Sequence, residues 1–157
     1  MLKKIAFACC AGLLSLTASA AGVVENPWIR EAPPAAMALG AFMVLHNDAD
    51  APLVLVGAQT AVAGEVQLHR TVFEDGMARM IHQPRIEIPA NGSLEFKPGD
   101  YHLMLMKPKQ QLKAGEQVEI TLEFADGSRL PATFEVRAGM GMPMDHHHDH
   151  HHDHAHH

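Results

Sequence analysis

The sequence predicts an antiparallel β-sandwich or Greek-key barrel, on three observations. Apolar and polar residues alternate with a period of two, turn dipeptides recur between the alternating runs, and helical periodicity is weak everywhere except Ala61 to Glu65. About eight or nine short strands separated by frequent turns suit two packed antiparallel layers. With 157 residues, 47% of them hydrophobic, the chain can close one core but not two.

Along the chain, the first segment is set apart. Lys3 and Lys4 precede an apolar run from Ile5 to Leu16, and Thr17-Ala18-Ser19-Ala20-Ala21 follows, the order of a secretory leader cleaved after Ala20. The run is too short to span a bilayer, and no later stretch approaches the ~20 apolar residues a spanning helix needs. Cys9 and Cys10 stand before most of the apolar run, which argues against lipid attachment, and both leave with the leader. The expected organisation is a leader over 1–20, one domain over 21–137 and a tail over 138–157. A mature chain without cysteine has neither disulfide nor thiolate ligand. Loss of Lys3 and Lys4 takes the formal charge from −6 to about −8, which disfavours nucleic-acid binding through phosphates.

Strand candidates follow in order: Pro27 to Arg30, Gly40 to His46, Leu53 to Val56, Glu65 to Val72 and Met77 to His82. Ile86 to Ile88 and Leu94 to Phe96 flank Asn91-Gly92, read as a hairpin turn in preference to a glycosylation site. Pro98-Gly99-Asp100 turns the chain into Tyr101 to Met106. Val118, Ile120, Leu122 and Phe124 alternate with polar residues, Asp126-Gly127 is the next turn, and Ala132, Phe134 and Val136 alternate again. From Gly139 the sequence reads GMGMPMDHHHDHHHDHAHH, with no Val, Ile, Leu or aromatic residue to bury, so the tail is expected to be disordered when empty. Its longest His run is three, unlike a purification tag, and it is read as native.

The chemistry lies in ten Met and thirteen His. Strand alternation sends His102, Met104 and Met106 to one face and Tyr101, Leu103 and Leu105 to the other. Val66 and Leu68 take the core side of their strand, leaving His69 on the polar side with Glu65 and Gln67. Met80 and His82 form another same-face pair. If the three strands are neighbours, two imidazoles and at least two thioethers converge outside the core. Such a neutral, sulfur-containing set suits Cu(I), whereas Zn(II), Mg(II) and Ca(II) have little use for a thioether. Each imidazole must be neutral to bind, so affinity should weaken below about pH 6.

The spacing His69, ten residues, Met80, twenty-one residues, His102, one residue, Met104 resembles the copper motif of the PCuAC family of periplasmic copper chaperones. Trp28-Ile29-Arg30 with Pro33, His46-Asn47, Gly76 to Met80, Pro98-Gly99 and Phe124-Ala125-Asp126-Gly127 extend the likeness over the globular part. The resemblance implies a cupredoxin-like Greek-key β-sandwich holding one Cu(I) through His69, Met80, His102 and Met104. It also implies copper supply to the dicopper centre of cytochrome c oxidase subunit II, alongside a Sco-type thiol protein. Arg70 departs from the acidic or Met residue expected after the first ligand. His82 and Met106 lie outside the motif and are read as supporting or packing residues, with an auxiliary ligand as the lesser alternative, Met77 as core, Met37 and Met43 as packing, and Trp28 as structural.

The tail adds Met140, Met142 and Met144, then nine histidines and three aspartates that suit borderline ions such as Cu(II). The expectation is a periplasmic, monomeric chaperone with a selective Cu(I) site and a tail that collects further copper. A general periplasmic metal buffer or copper-resistance protein is the alternative. An enzyme is disfavoured by the lack of a HExxH helix, a Ser-centred nucleophile motif or a cysteine, and blue-copper electron transfer by the lack of its Cys ligand.

Overall fold

The computed structural model describes residues 21–139. The leader expected at 1–20 and the expected metal-binding tail beyond Gly139, with its disorder, lie outside the described residues. Within them ten strands run in order: β1 (Gly22–Arg30), β2 (Ala38–Asn47), β3 (Leu53–Gln59), β4 (Ala63–Glu74), β5 (Met77–His82), β6 (Ile86–Ile88), β7 (Gly92–Phe96), β8 (Tyr101–Pro108), β9 (Gln117–Phe124) and β10 (Arg129–Arg137). The alternation that predicts them is also what buries them. In β9, Val118, Ile120, Leu122 and Phe124 are buried while Gln117 and Glu119 face solvent. On β8, Leu103 and Leu105 are fully buried on the core face.

Hydrogen bonding joins β4, β8, β2, β1, β10, β9 and β3 in sequence, and the Ala58↔Val66 bridge from β3 back to β4 closes the ring. The result is the cupredoxin-like sandwich, flattened from a barrel, with all pairings antiparallel except β1 with β10. Its centre is filled by Ile29, Leu45, Leu55, Leu103, Ile120 and Phe134. β2 divides its free edge, Ala38 to Ala41 pairing with β8 and Met43 to Asn47 with β7. β5 lies outside the ring, paired with β4 alone.

Four expectations change. The count is ten strands, two of them very short. The weak helical signal at Ala61 to Glu65 is a turn followed by the start of β4, because Ala63 is buried in the sandwich. Asn91-Gly92 is not a hairpin turn: β6 pairs with β3 and β7 with β2, so this corner carries the chain between partners. The corner is held by Asn47, fully buried at the end of β2, whose amide donates to the Ile88 and Ala51 carbonyls. Finally, Met77 and Met37 are 64% and 75% exposed, not packed. Met77 sits on β5, whose two faces extend past the core and have no second layer to meet. Met43 is buried as expected.

Candidate metal centre

A two-residue turn sets the register on which the site depends. Asp75 and Gly76 both have positive φ, 51° and 74°, the type I′ geometry whose twist matches the strands it joins. Closing Glu74 against Met77 places Met80 opposite Thr71 and His82 opposite His69. On the other side of β4, His69 faces His102 and Gln67 faces Met104. Opposed residues of an antiparallel pair share a face. His69, Met80, His82, His102 and Met104 therefore all project from one outer face of the β5–β4–β8 sheet, and the three strands are neighbours as the sequence reading required.

The two imidazoles are oriented before any ligand arrives. His102 is buried, and its Nδ1–H donates to the Asp100 carbonyl at 2.9 Å, which leaves the Nε2 lone pair free. His69 donates through Nε2–H to the Gln67 side-chain oxygen at 2.9 Å, and the Gln67 amide donates on to Glu65 at 3.0 Å. Its Nδ1 is thereby left free. Both lone-pair nitrogens are buried without a hydrogen-bond partner among the described residues. An unpartnered buried acceptor is costly unless something else engages it. The ring centres are 5.6 Å apart at 74°. Burial lowers the His69 pKa below its usual 6.5, and the neighbouring His102 and then His82 lower it further. The neutral, metal-competent form is thus favoured.

Met80, His102 and Met104 line one cavity of about 150 Å³ with Gly40, Phe42 and Thr71, and Arg30, Pro98 and Gly99 complete its wall. Met80 is 62% exposed, and His69 is not among the residues that line this cavity. Among the described residues no three His, Cys, Asp or Glu side chains group as a metal-ligand set. Beside His69, His102 and the rim imidazole of His82, this face carries the thioethers of Met80 and Met104. Neutral nitrogen and sulfur donors fit a soft monovalent cation better than a hard divalent one.

Of the residues outside the spacing motif, His82 stands edge-on to His69 at 6.1 Å, exposed at the rim. Met106 is half-buried opposite Ala38 and Glu65, displaced along β8 from the imidazoles. Sequence reading missed two supports. Arg70, the residue that departs from the family pattern, bonds Asp100 at 3.2 Å and lies 4.7 Å over the Tyr101 ring, bracing the turn whose carbonyl holds His102. Trp28 stacks on Phe42 at 4.6 Å, and Phe42 lies 6.4 Å from His102, so the lone tryptophan belongs to a shelf beside the cavity. Only the period-two placement of Phe42 on the same face as Met104 could have signalled it.

The family described as "Putative lipoprotein LpqE-like" matches residues 23–136. A protein of Leifsonia xyli with a lipoprotein description of the same kind is 35% identical over 115 residues, 73% of this chain and 68% of that one. The solution structure of CuI-DR1885 from Deinococcus radiodurans is similar with a TM-score of 0.61 and 35% identity, covering 83% of this chain and 85% of that one. The copper-bound PCuAC domain from PmoF2 shares the fold, with a TM-score of 0.66 at 24% identity over 78% of this chain and 97% of that domain.

Proposed function

The chain belongs to the LpqE-like family and has the PCuAC fold, and on that premise we propose that it is an exported copper chaperone holding Cu(I) through His69, Met80, His102 and Met104. The observation that carries the reading is the pair of buried, unpartnered lone-pair nitrogens on His69 and His102, on the same outer face as Met80 and Met104. The CuI-DR1885 protein of Deinococcus radiodurans, 35% identical and of the same fold, carries Cu(I), which supports copper as the cargo.

Delivery proceeds by ligand exchange, without bond-making catalysis. A partner thiolate or imidazole joins the copper sphere, a thioether or imidazole of this chain departs, and no electron moves. Thiolate's stronger attraction for Cu(I) makes the transfer downhill. Met80, exposed on an edge strand, is the donor most easily displaced. The recipient in this reading is the dicopper centre of cytochrome c oxidase subunit II, with a Sco-type thiol protein alongside, and the chaperone works as a monomer in the periplasm after cleavage of its leader. The tail collects further copper, including Cu(II), and raises its local concentration near the sandwich.

Cu(I) titration of the full chain against a chromophoric chelator tests the site. His102→Ala and Met104→Ala should each remove the tight Cu(I) equivalent and leave only weaker tail binding. Unchanged tight binding in both variants overturns the assignment. The nine histidines and three aspartates of the tail favour a second reading, a general metal buffer. A chaperone passes Cu(I) to an oxidase subunit II fragment, whereas a buffer retains it and holds Ni(II) and Zn(II) comparably.

A further inference from the structure

The geometry points to the groove formed by Trp28, Arg30, Pro98, Arg137 and Ala138 as the seat of this chain's own C-terminal segment, residues 140–157. In that seat the segment's methionines are carried to the face that bears His102, Met104 and Met80. The groove holds about 400 Å³ and adjoins the metal cavity, since Arg30 and Pro98 line both.

Where the chain leaves the sandwich is the first argument. β10 ends with Arg137 in register with Arg30, Ala138 lines the groove, and a Cβ on Gly139 would lie 3.7 Å from the Arg30 Cγ. The last described residues, Ala138 and Gly139, therefore lie at the groove. Length is the second. From Arg30 the guanidinium carbon is 5.6 Å from the Phe42 ring, and that ring is 6.4 Å from His102. Five extended residues beyond Gly139 span about 17 Å, enough for Met144 to cover both steps.

Chemical fit is the third. The groove floor is the Trp28 indole, with the guanidinium carbons of Arg30 and Arg137 at 6.0 and 5.9 Å from its centre. Arg30 makes no ion pair among the described residues, and Arg137 meets only the long 3.5 Å contact to Glu135 and a bond to Asn26. The segment presents Met140, Met142 and Met144 at alternate positions, then Asp145, Asp149 and Asp153. Thioethers suit an aromatic floor, and carboxylates suit the Arg30 guanidinium and the loosely held Arg137. Once seated, a tail thioether stands at the open side of the metal cavity, near Met80. That consequence rests on the copper reading above; the docking does not.

The test uses the metal-free full chain, with the Trp28 indole N–H resonance as the probe, since Trp28 is the sole tryptophan. Two variants leave the groove intact: Met140→Ser with Met142→Ser and Met144→Ser, and Asp145→Asn with Asp149→Asn and Asp153→Asn. Each should shift the indole resonance by more than its linewidth. The wild type should move the same way as salt rises from about 20 mM to about 500 mM and the screening length falls from ~20 Å to ~4 Å. An indole resonance unmoved by both variants overturns the proposal. A shift that vanishes on dilution also overturns it, by assigning the groove to the tail of a second copy. Because no metal is present, failure of Cu(I) binding at His102 and Met104 leaves this result standing, and failure here leaves the copper reading standing.

Discussion

At the scale of single residues, the site depends on which nitrogen of each imidazole is kept free. The Asp100 carbonyl and the Gln67 amide oxygen each accept one N–H, so the other nitrogen of each ring keeps its lone pair for a metal without a tautomer change. Such outer partners typically carry a 10–100-fold share of metal affinity. Arg70→Ala, which frees the Asp100 turn, is expected to weaken Cu(I) binding by about tenfold with the fold retained, read by chelator competition and circular dichroism. His69 also couples stability to pH. Its folded pKa lies below the unfolded value of about 6.5, so the unfolded chain binds the proton first. The metal-free protein is therefore expected to lose stability as pH falls below that value, and His69→Gln should flatten the loss in urea titrations at stepped pH. Proton competition for the same lone pair weakens Cu(I) binding over the acid range.

At the scale of elements, the β4–β5 hairpin sets whether sulfur reaches the imidazoles at all. Strand side chains alternate faces, so a one-residue slip would send Met80 and His82 away from His69. Gly76 holds the turn at φ 74°, and nothing lies within 4 Å of the position a Cβ would occupy. Gly76→Val therefore tests backbone strain alone. It should destabilise the hairpin by about 1–2 kcal/mol and lower Cu(I) affinity more than overall stability, seen by comparing chelator competition with thermal unfolding. The two strands of the hairpin were legible as Glu65 to Val72 and Met77 to His82, although the Asp75-Gly76 turn that joins them was not singled out. The environment of Met77 was not legible, because alternation says which side a residue takes and not whether another layer covers that side.

At the scale of the whole molecule, the ring of strands separates two functions on β8. Leu103 and Leu105 anchor it in the core, while His102 and Met104 face outward. Leu103→Ala should cost about 2–5 kcal/mol of stability in denaturant unfolding. Below the melting transition its Cu(I) affinity should remain close to wild type, since the donors sit on the opposite face. Closure also explains why Asn91-Gly92 misleads. Locally it has the dipeptide of a hairpin, but β2 and β3 each have a free edge for β7 and β6, and those longer pairings prevail.

The all-β class, nearly every strand, and the face on which His69, Met80, His82, His102 and Met104 stand follow from the order of residues, because a period of two is a local property of the backbone. Which strands become neighbours does not follow from it. The order β5–β4–β8, the burial of both free imidazole nitrogens, and the Trp28–Phe42–Arg30 shelf arise from pairings between segments far apart in the chain. Only closing the sandwich selects those pairings, since it is the shared core that determines which edges meet.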